Sequence, residues 1–277
     1  MTTGGYNPNE EPEGGGQEGR PPQGNPPPPQ GGYPPPPSNY PPPPGGYPPP
    51  PPMSNYGAFE QKSGQLSVGA AIGYGWAKFK DNAPVWIGIL LIAAVIQVVL
   101  IGIFDGFGTS SDMSAAFSPW RILGTIVTSI VSYLINAALV RGSLHEVDGN
   151  RPAFGSFFQF TNVGAIIIAS LIIGVASFIG LILFIIPSLI VVFLTWWTLQ
   201  FVIDQNEDAF TAIKSSFRVI SHNVGPVLLL ALALVGINIV GAILFLVGLL
   251  VSIPISIIAS TYAYRVLTGR YVSYVSG

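Results

Sequence analysis

Four stretches of this chain, residues 84–104, 122–140, 163–203 and 224–264, contain no Asp, Glu, Lys, Arg or His. A helix needs about 20 apolar residues to cross roughly 30 Å of hydrocarbon, so the first two stretches are one span each. The last two are 41 residues long. As continuous helices they would reach about 60 Å, twice the bilayer core. Each is therefore read as a hairpin. The expectation is an all-α, six-span transmembrane helical bundle in residues 63–277, with spans at 84–104, 122–140, 163–180, 182–203, 224–241 and 243–264.

An internal match places the hairpin turns. Asn162-Val163-Gly164 and Asn223-Val224-Gly225 open the two long stretches, and 18 residues after each Asn stands a Gly in a shared context, Gly180-Leu-Ile-Leu-Phe184 and Gly241-Ala-Ile-Leu-Phe245. The turns are expected near Gly180 and Gly241. A second match precedes the spans: Ile72, Trp76, Phe79 and Asn82 keep the spacing of Ile213, Phe217, Ile220 and Asn223. Each set puts three apolar side chains on one helical stripe and ends in Asn before a span. These read as short interfacial helices, or as the ends of longer tilted spans. Phe154, Phe157, Phe158 and Phe160 ahead of Asn162 form a rougher third copy.

The front of the chain has the opposite character. Residues 1–62 hold 21 of the 27 prolines and no apolar run. They cannot bury enough surface to offset the entropy of ordering and are read as a disordered Pro-rich tail. Tyr33, Tyr40 and Tyr47 recur every seven residues between proline runs, and Tyr56 closes another Ser-Asn-Tyr. Such rods favour polyproline II and either dock in aromatic-lined grooves, with Tyr33, Tyr40, Tyr47 and Tyr56 as anchors, or act as a spacer.

Basic residues set the sidedness. With six spans, Arg20, Lys62, Lys78, Lys80, Arg141, Arg151, Lys214, Arg218, Arg265 and Arg270 fall on one side, and Arg121 on the other. The positive-inside rule puts that side, and both termini, in the cytoplasm.

With no ionisable residue inside a span, ion-coupled transport loses its usual parts. Asn136 and Asn238 are expected to bond across helices. Gly248, Ser252, Ser256 and Ser260 recur every fourth residue and make a face on which another backbone can approach closely, within this chain or in a partner. Trp196, Trp197, Tyr262 and Tyr264 are read as anchors at headgroup level. His145, Glu146 and Asp148 are read as a solvated loop after the second span, a metal or acid–base role needing further ligands or a pocket. Asp204, Glu207 and Asp208 precede the helix carrying Lys214 and Arg218, where the helix dipole favours them. The chain has no Cys and a formal net charge of −2. Disulfides are excluded, and nothing points to nucleic acid. No nucleotide loop, HExxH or nucleophile elbow occurs, so no catalytic residue, metal or cofactor is assigned and an enzyme is not expected.

The second half carries a further pattern: Pro187 after Ile-Leu-Phe-Ile-Ile, then Trp196-Trp197, Phe201 and Asp204, then Ala212-Ile213 with Ser216, Asn223-Val-Gly, Gly248-Leu-Leu-Val-Ser-Ile-Pro254 and Tyr262-Ala-Tyr264-Arg265. It resembles a broad group of bacterial, actinobacterial-type integral membrane proteins of unknown function, related to the membrane domain attached to some glycerophosphodiester phosphodiesterases. The resemblance covers roughly residues 66–270. It implies a bacterial plasma membrane location and, because the phosphodiesterase catalytic motifs are missing, no hydrolysis. Two functions follow. The first is a noncatalytic scaffold or accessory subunit of a larger membrane complex, whose tail recruits a cytoplasmic protein partner. The alternative is a carrier or sensor of an uncharged or lipidic ligand, which a bundle without a cavity would exclude.

Overall fold

The computed structural model describes residues 65–106 and 118–275. The expected disordered tail and its tyrosine repeat lie outside the described residues, as does most of the loop after the first span. Among the described residues the fold is all helical, and six helical segments are long and apolar enough to cross a membrane. In chain order the helices are α1 (Val68–Asp81), α2 (Ala83–Phe104), α3 (Pro119–Val147), a 3-10 turn (Phe154–Phe158), α4 (Val163–Leu183), α5 (Ile185–Leu194), α6 (Thr198–Gln205), α7 (Ala209–His222), α8 (Val224–Ile243) and α9 (Leu249–Leu267). The spans are α2, α3, α4, α5 with α6, α8 and α9.

The short helices are distinct elements, not continuations of spans. The chain bends at Asn82 (φ −138°, ψ 26°) between α1 and α2 and in nearly the same way at Asn223 (φ −130°, ψ 33°) between α7 and α8. Asn162 opens α4 after the 3-10 turn, and its side chain accepts from the Ala165 amide at 3.3 Å. The two matched stripes are used alike: Phe79 and Ile220 are buried, while Trp76 and Phe217 stay exposed. Helix α1 packs along α9 so tightly that a Cβ on Gly75 would stand 2.6 Å from the Ile255 carbonyl oxygen.

The hairpin turns fall a few residues beyond the expected glycines, at Phe184 and at residues 244–248. Gly180 and Gly241 are instead the points where the two arms of each hairpin touch. A Cβ on Gly180 would meet the Ser188 backbone at 2.9 Å, and one on Gly248 would meet the Gly241 carbonyl oxygen at 2.6 Å. Bulk is excluded there because the backbones themselves are in contact.

The helices also run past the charge-free stretches. Helix α3 includes Arg121, Arg141, His145 and Glu146; the fourth span includes Asp204; α9 includes Arg265. Charge is thus absent from the middle of the spans but present at their ends.

Burial is strongly one-ended. The buried residues of α2 are Trp86, Ile89 and Leu90 at its start, those of α3 lie almost all between Ala137 and Val147 at its finish, and those of α9 concentrate from Ile258 to Arg265. Helix α5, at the opposite end of the fourth span, buries no side chain. The spans are therefore buried against one another at the end marked by Arg265, while at the end marked by Asp105 they touch in pairs, at the two hairpins and where Gly124 meets Phe104, and most side chains are exposed.

Candidate functional site: a cavity above a locked polar layer

The Arg265 end is held by two polar networks. In one, the Glu146 side chain accepts from Asn82 Nδ2 at 3.1 Å and Trp86 Nε1 at 3.0 Å, and Asn82 also donates to the Pro152 carbonyl at 3.0 Å. The Tyr74 hydroxyl shares a 2.9 Å hydrogen bond with Ser273, which draws the C-terminal segment onto α1 and α3. Burial pushes the Tyr74 phenol well above its ordinary value, the Ser273 hydrogen bond opposing the shift. Burial also holds the Lys78 ammonium below its usual range, opposed by the nearby Glu146 charge. In the other network, Arg265 Nη2 lies 2.8 Å from Asp148 and 2.9 Å from Asp204, while Arg270 and the Tyr264 hydroxyl reach Asp204 at 3.3 and 2.9 Å.

Several expectations change here. The His145, Glu146 and Asp148 trio is not a solvated loop throughout: α3 continues through His145 and Glu146 to Val147, Glu146 is 1% exposed, and the C-cap Asp148 stays exposed but pairs with Arg265. Asp204 is a buried ion-pair member, and only Asp208 acts as an N-cap, accepting from the Phe210 and Thr211 amides. The Thr211 hydroxyl, which also bonds to Asp208, lowers its carboxyl pKa. Trp197, Tyr262 and Tyr264 are buried among neighbouring helices in this layer rather than turned outward. Their neighbours explain why: Trp197 Nε1 donates to Ser260 at 3.0 Å, and Tyr264 packs edge-on to Phe201.

The fourth span is broken between α5 and α6. The buried Ser216 of α7 bridges the break, accepting from the Trp197 amide at 3.1 Å and donating to the Leu194 carbonyl at 2.9 Å. Irregular backbone at membrane depth is tolerated where protein satisfies it or where it lines a cavity. Both conditions hold here. At the break and just after it, Trp196, Leu199 and Gln200 line a half-open cavity of about 490 Å³ between α2, α3, the fourth span and α9.

Its wall is apolar with a set of uncharged polar groups: Gln97, Ser132, Asn136, Gln200, Ser256 and Ser260. Gln97 donates to Ser132 at 2.9 Å. Gln200 is 3% exposed, and its Oε1 is buried without a hydrogen-bond partner. An orphaned buried acceptor in such surroundings calls for a donor. The four-residue strip of α9 divides between tasks. Gly248 lies against Gly241, and Ser252 and Ser256 each bond Asn238 at 2.8 Å. Ser256 and Ser260 also line the cavity. Asn136 makes no side-chain hydrogen bond among the described residues and stands on the cavity wall. In the sequence these residues looked like glue between helices. The cavity requires knowing where the fourth span breaks, and only Ser216, nineteen residues from Trp197, marks that point.

Comparison with known proteins gives three curated relatives. Uncharacterized protein Rv2560 of Mycobacterium tuberculosis (strain H37Rv) is 32% identical over 242 residues, a match covering 80% of this chain and 74% of the relative. Uncharacterized protein Mb2590 of Mycobacterium bovis and MT2637 of Mycobacterium tuberculosis (strain CDC 1551) match with the same identity and coverage. No family model matches the chain, and no solved structure matches it.

Proposed function

The chain belongs to the family of these uncharacterised mycobacterial proteins, and on that premise we propose that it is a noncatalytic integral membrane protein that carries or senses an uncharged ligand held between its helices. The cavity beside the broken span carries this reading. Discontinuous spans beside a cavity at membrane depth recur in transporters, where they form the binding site. The absence of charge from the wall disfavours ions, and its amides and hydroxyls suit an uncharged molecule that bears hydrogen-bonding groups.

Native mass spectrometry of the full chain, released from bacterial membranes in mild detergent, tests it. The expected result is an uncharged adduct on the wild type that is lost from Gln200→Leu. A wild type free of any adduct, in membranes from cells grown under several conditions, would overturn the reading.

The heptad-spaced Tyr33, Tyr40 and Tyr47 support a second role, the tail docking a cytoplasmic protein. In that arrangement the protein sits in the plasma membrane with both termini inside, as the basic Arg265 end favours. Deleting residues 1–60 should then release copurifying proteins and leave the bundle's elution unchanged. An identical set of partners counts against docking.

A further inference from the structure

We infer that the ligand reaches the cavity from the Asp105 side, along a hydroxyl-lined groove on α3, while the Arg265 end is closed. This rests on the ligand-binding reading and adds its route and the chemistry of its path.

Two observations carry it. The first is a second concavity of about 350 Å³ bounded by Asp105, Thr125, Thr128, Ser129, Ser132 and Tyr133. It shares Ser132 with the central cavity, which continues to Asn136. Thr125, Thr128 or Ser129, Ser132 and Asn136 follow at three- and four-residue steps, so they form one face of α3. Oxygen atoms are thereby offered at each turn from the end of the helix to the cavity. The hydroxyls of Thr125 and Ser132 already donate to carbonyls one turn back, at 2.9 and 2.7 Å. What remains for a passing ligand is the acceptor capacity of Thr125 and the lone pair of Ser132 that Gln97 does not use, which favours a molecule bearing donors.

The second observation is the closure of the other end. Beyond the cavity floor, Ser143 and Thr261 share a 2.7 Å hydrogen bond and are both 0% exposed. Trp197, Tyr264 and Ala263 are likewise fully buried, and the Arg265–Asp204 pair lies beyond them. A ligand leaving that way would have to break a buried ion pair and displace two large aromatic rings. Leaving by the groove breaks neither.

The chain has no Cys, so single cysteines can be read in the otherwise native full-length protein. Thr125→Cys, Asn136→Cys and Ser143→Cys, with Ala263→Cys as a second buried site, are treated with a membrane-impermeant maleimide in sealed vesicles of each orientation. Unchanged size-exclusion profiles show that the variants fold. Thr125→Cys and Asn136→Cys are expected to label at least tenfold faster from the face bearing Asp105, and Ser143→Cys and Ala263→Cys from neither face until the protein is denatured. Faster labelling of Asn136→Cys from the Arg265 face, or equal rates from both, overturns the route. So does labelling of Thr125→Cys alone, which means the groove stops short of the cavity. Oxidative crosslinking of Thr125→Cys into a dimer assigns this face to a second copy and likewise overturns it. None of these outcomes touches the adduct measurement, so failure of the route and failure of the binding reading are told apart.

Discussion

Arg265 and Asp204 meet at 2.9 Å with side chains only 6% and 7% exposed, joining α9 to α6. Removing Arg265 takes a close partner from both Asp204 and Asp148 and leaves Asp204 with Arg270 at 3.3 Å and the Tyr264 hydroxyl, so the loss approaches but does not reach the about 3 to 5 kcal/mol of a fully stranded buried charge. Arg265→Met is expected to lower the unfolding midpoint in detergent sharply. Arg265→Met combined with Asp204→Leu should recover most of the loss, because neither charge is then stranded. A double variant as unstable as the single one would show that the pair is not what joins these helices.

Glu146 gives a finer comparison. In Glu146→Ala the indole of Trp86 loses its acceptor and Asn82 keeps only Pro152. An unsatisfied buried donor costs about 1 to 3 kcal/mol. Glu146→Gln keeps a carbonyl at the same place and should be clearly milder than the alanine variant. Thermal melts followed by tryptophan fluorescence read both, since Trp86 reports on the site directly.

Ser216 holds the break in the fourth span from outside. Ser216→Ala removes one acceptor and one donor at once, leaving the Trp197 amide and the Leu194 carbonyl unpaired in a buried place. The expected loss is about 1 to 3 kcal/mol, accompanied by faster hydrogen exchange confined to residues around the break. Ser216→Thr keeps the hydroxyl and should restore slow exchange there.

Tyr74 predicts the alkaline limit. Its phenol, raised by burial, stays protonated in the fold after the unfolded chain has begun to ionise near 10.0. A group whose folded pKa is raised contributes stability that is complete below the unfolded value and lost as pH climbs through the folded one. The midpoint should therefore fall above pH 10. Tyr74→Phe, which cannot ionise, should start lower for want of the Ser273 bond yet lose less across the same range. Parallel pH curves for the two proteins would contradict the assignment.

The number of spans was legible because charge is expensive in lipid and the sequence keeps it out of four long stretches. The two asparagine bends were legible as well, since Asn82 and Asn223 end stripes of matching spacing. The polar layer was not. His145, Glu146 and Asp148 follow the apolar stretch directly, so they read as a loop, and only the packing of α1 and of the segment carrying Ser273 turns that stretch into a covered helix. Trp197 and Tyr264 were misplaced for a related reason: an aromatic ring near a span end suits a headgroup or a core equally well, and only the partner residues Ser260, Phe201 and Asp204 decide between them. The cavity wall escaped for a third reason. Asn136, Ser256 and Ser260 are the same residue types whether they bond a neighbouring helix or face empty space, and their assignment depends on a break that polar residues far along the chain stabilise.

The one-ended burial of the spans has a mechanical consequence. Helices buried against one another at one level and joined only in pairs at the other have their stiffest point at the Arg265 end. Strain applied at the Asp105 end is therefore resisted by fewer buried contacts than strain applied at the Arg265 end.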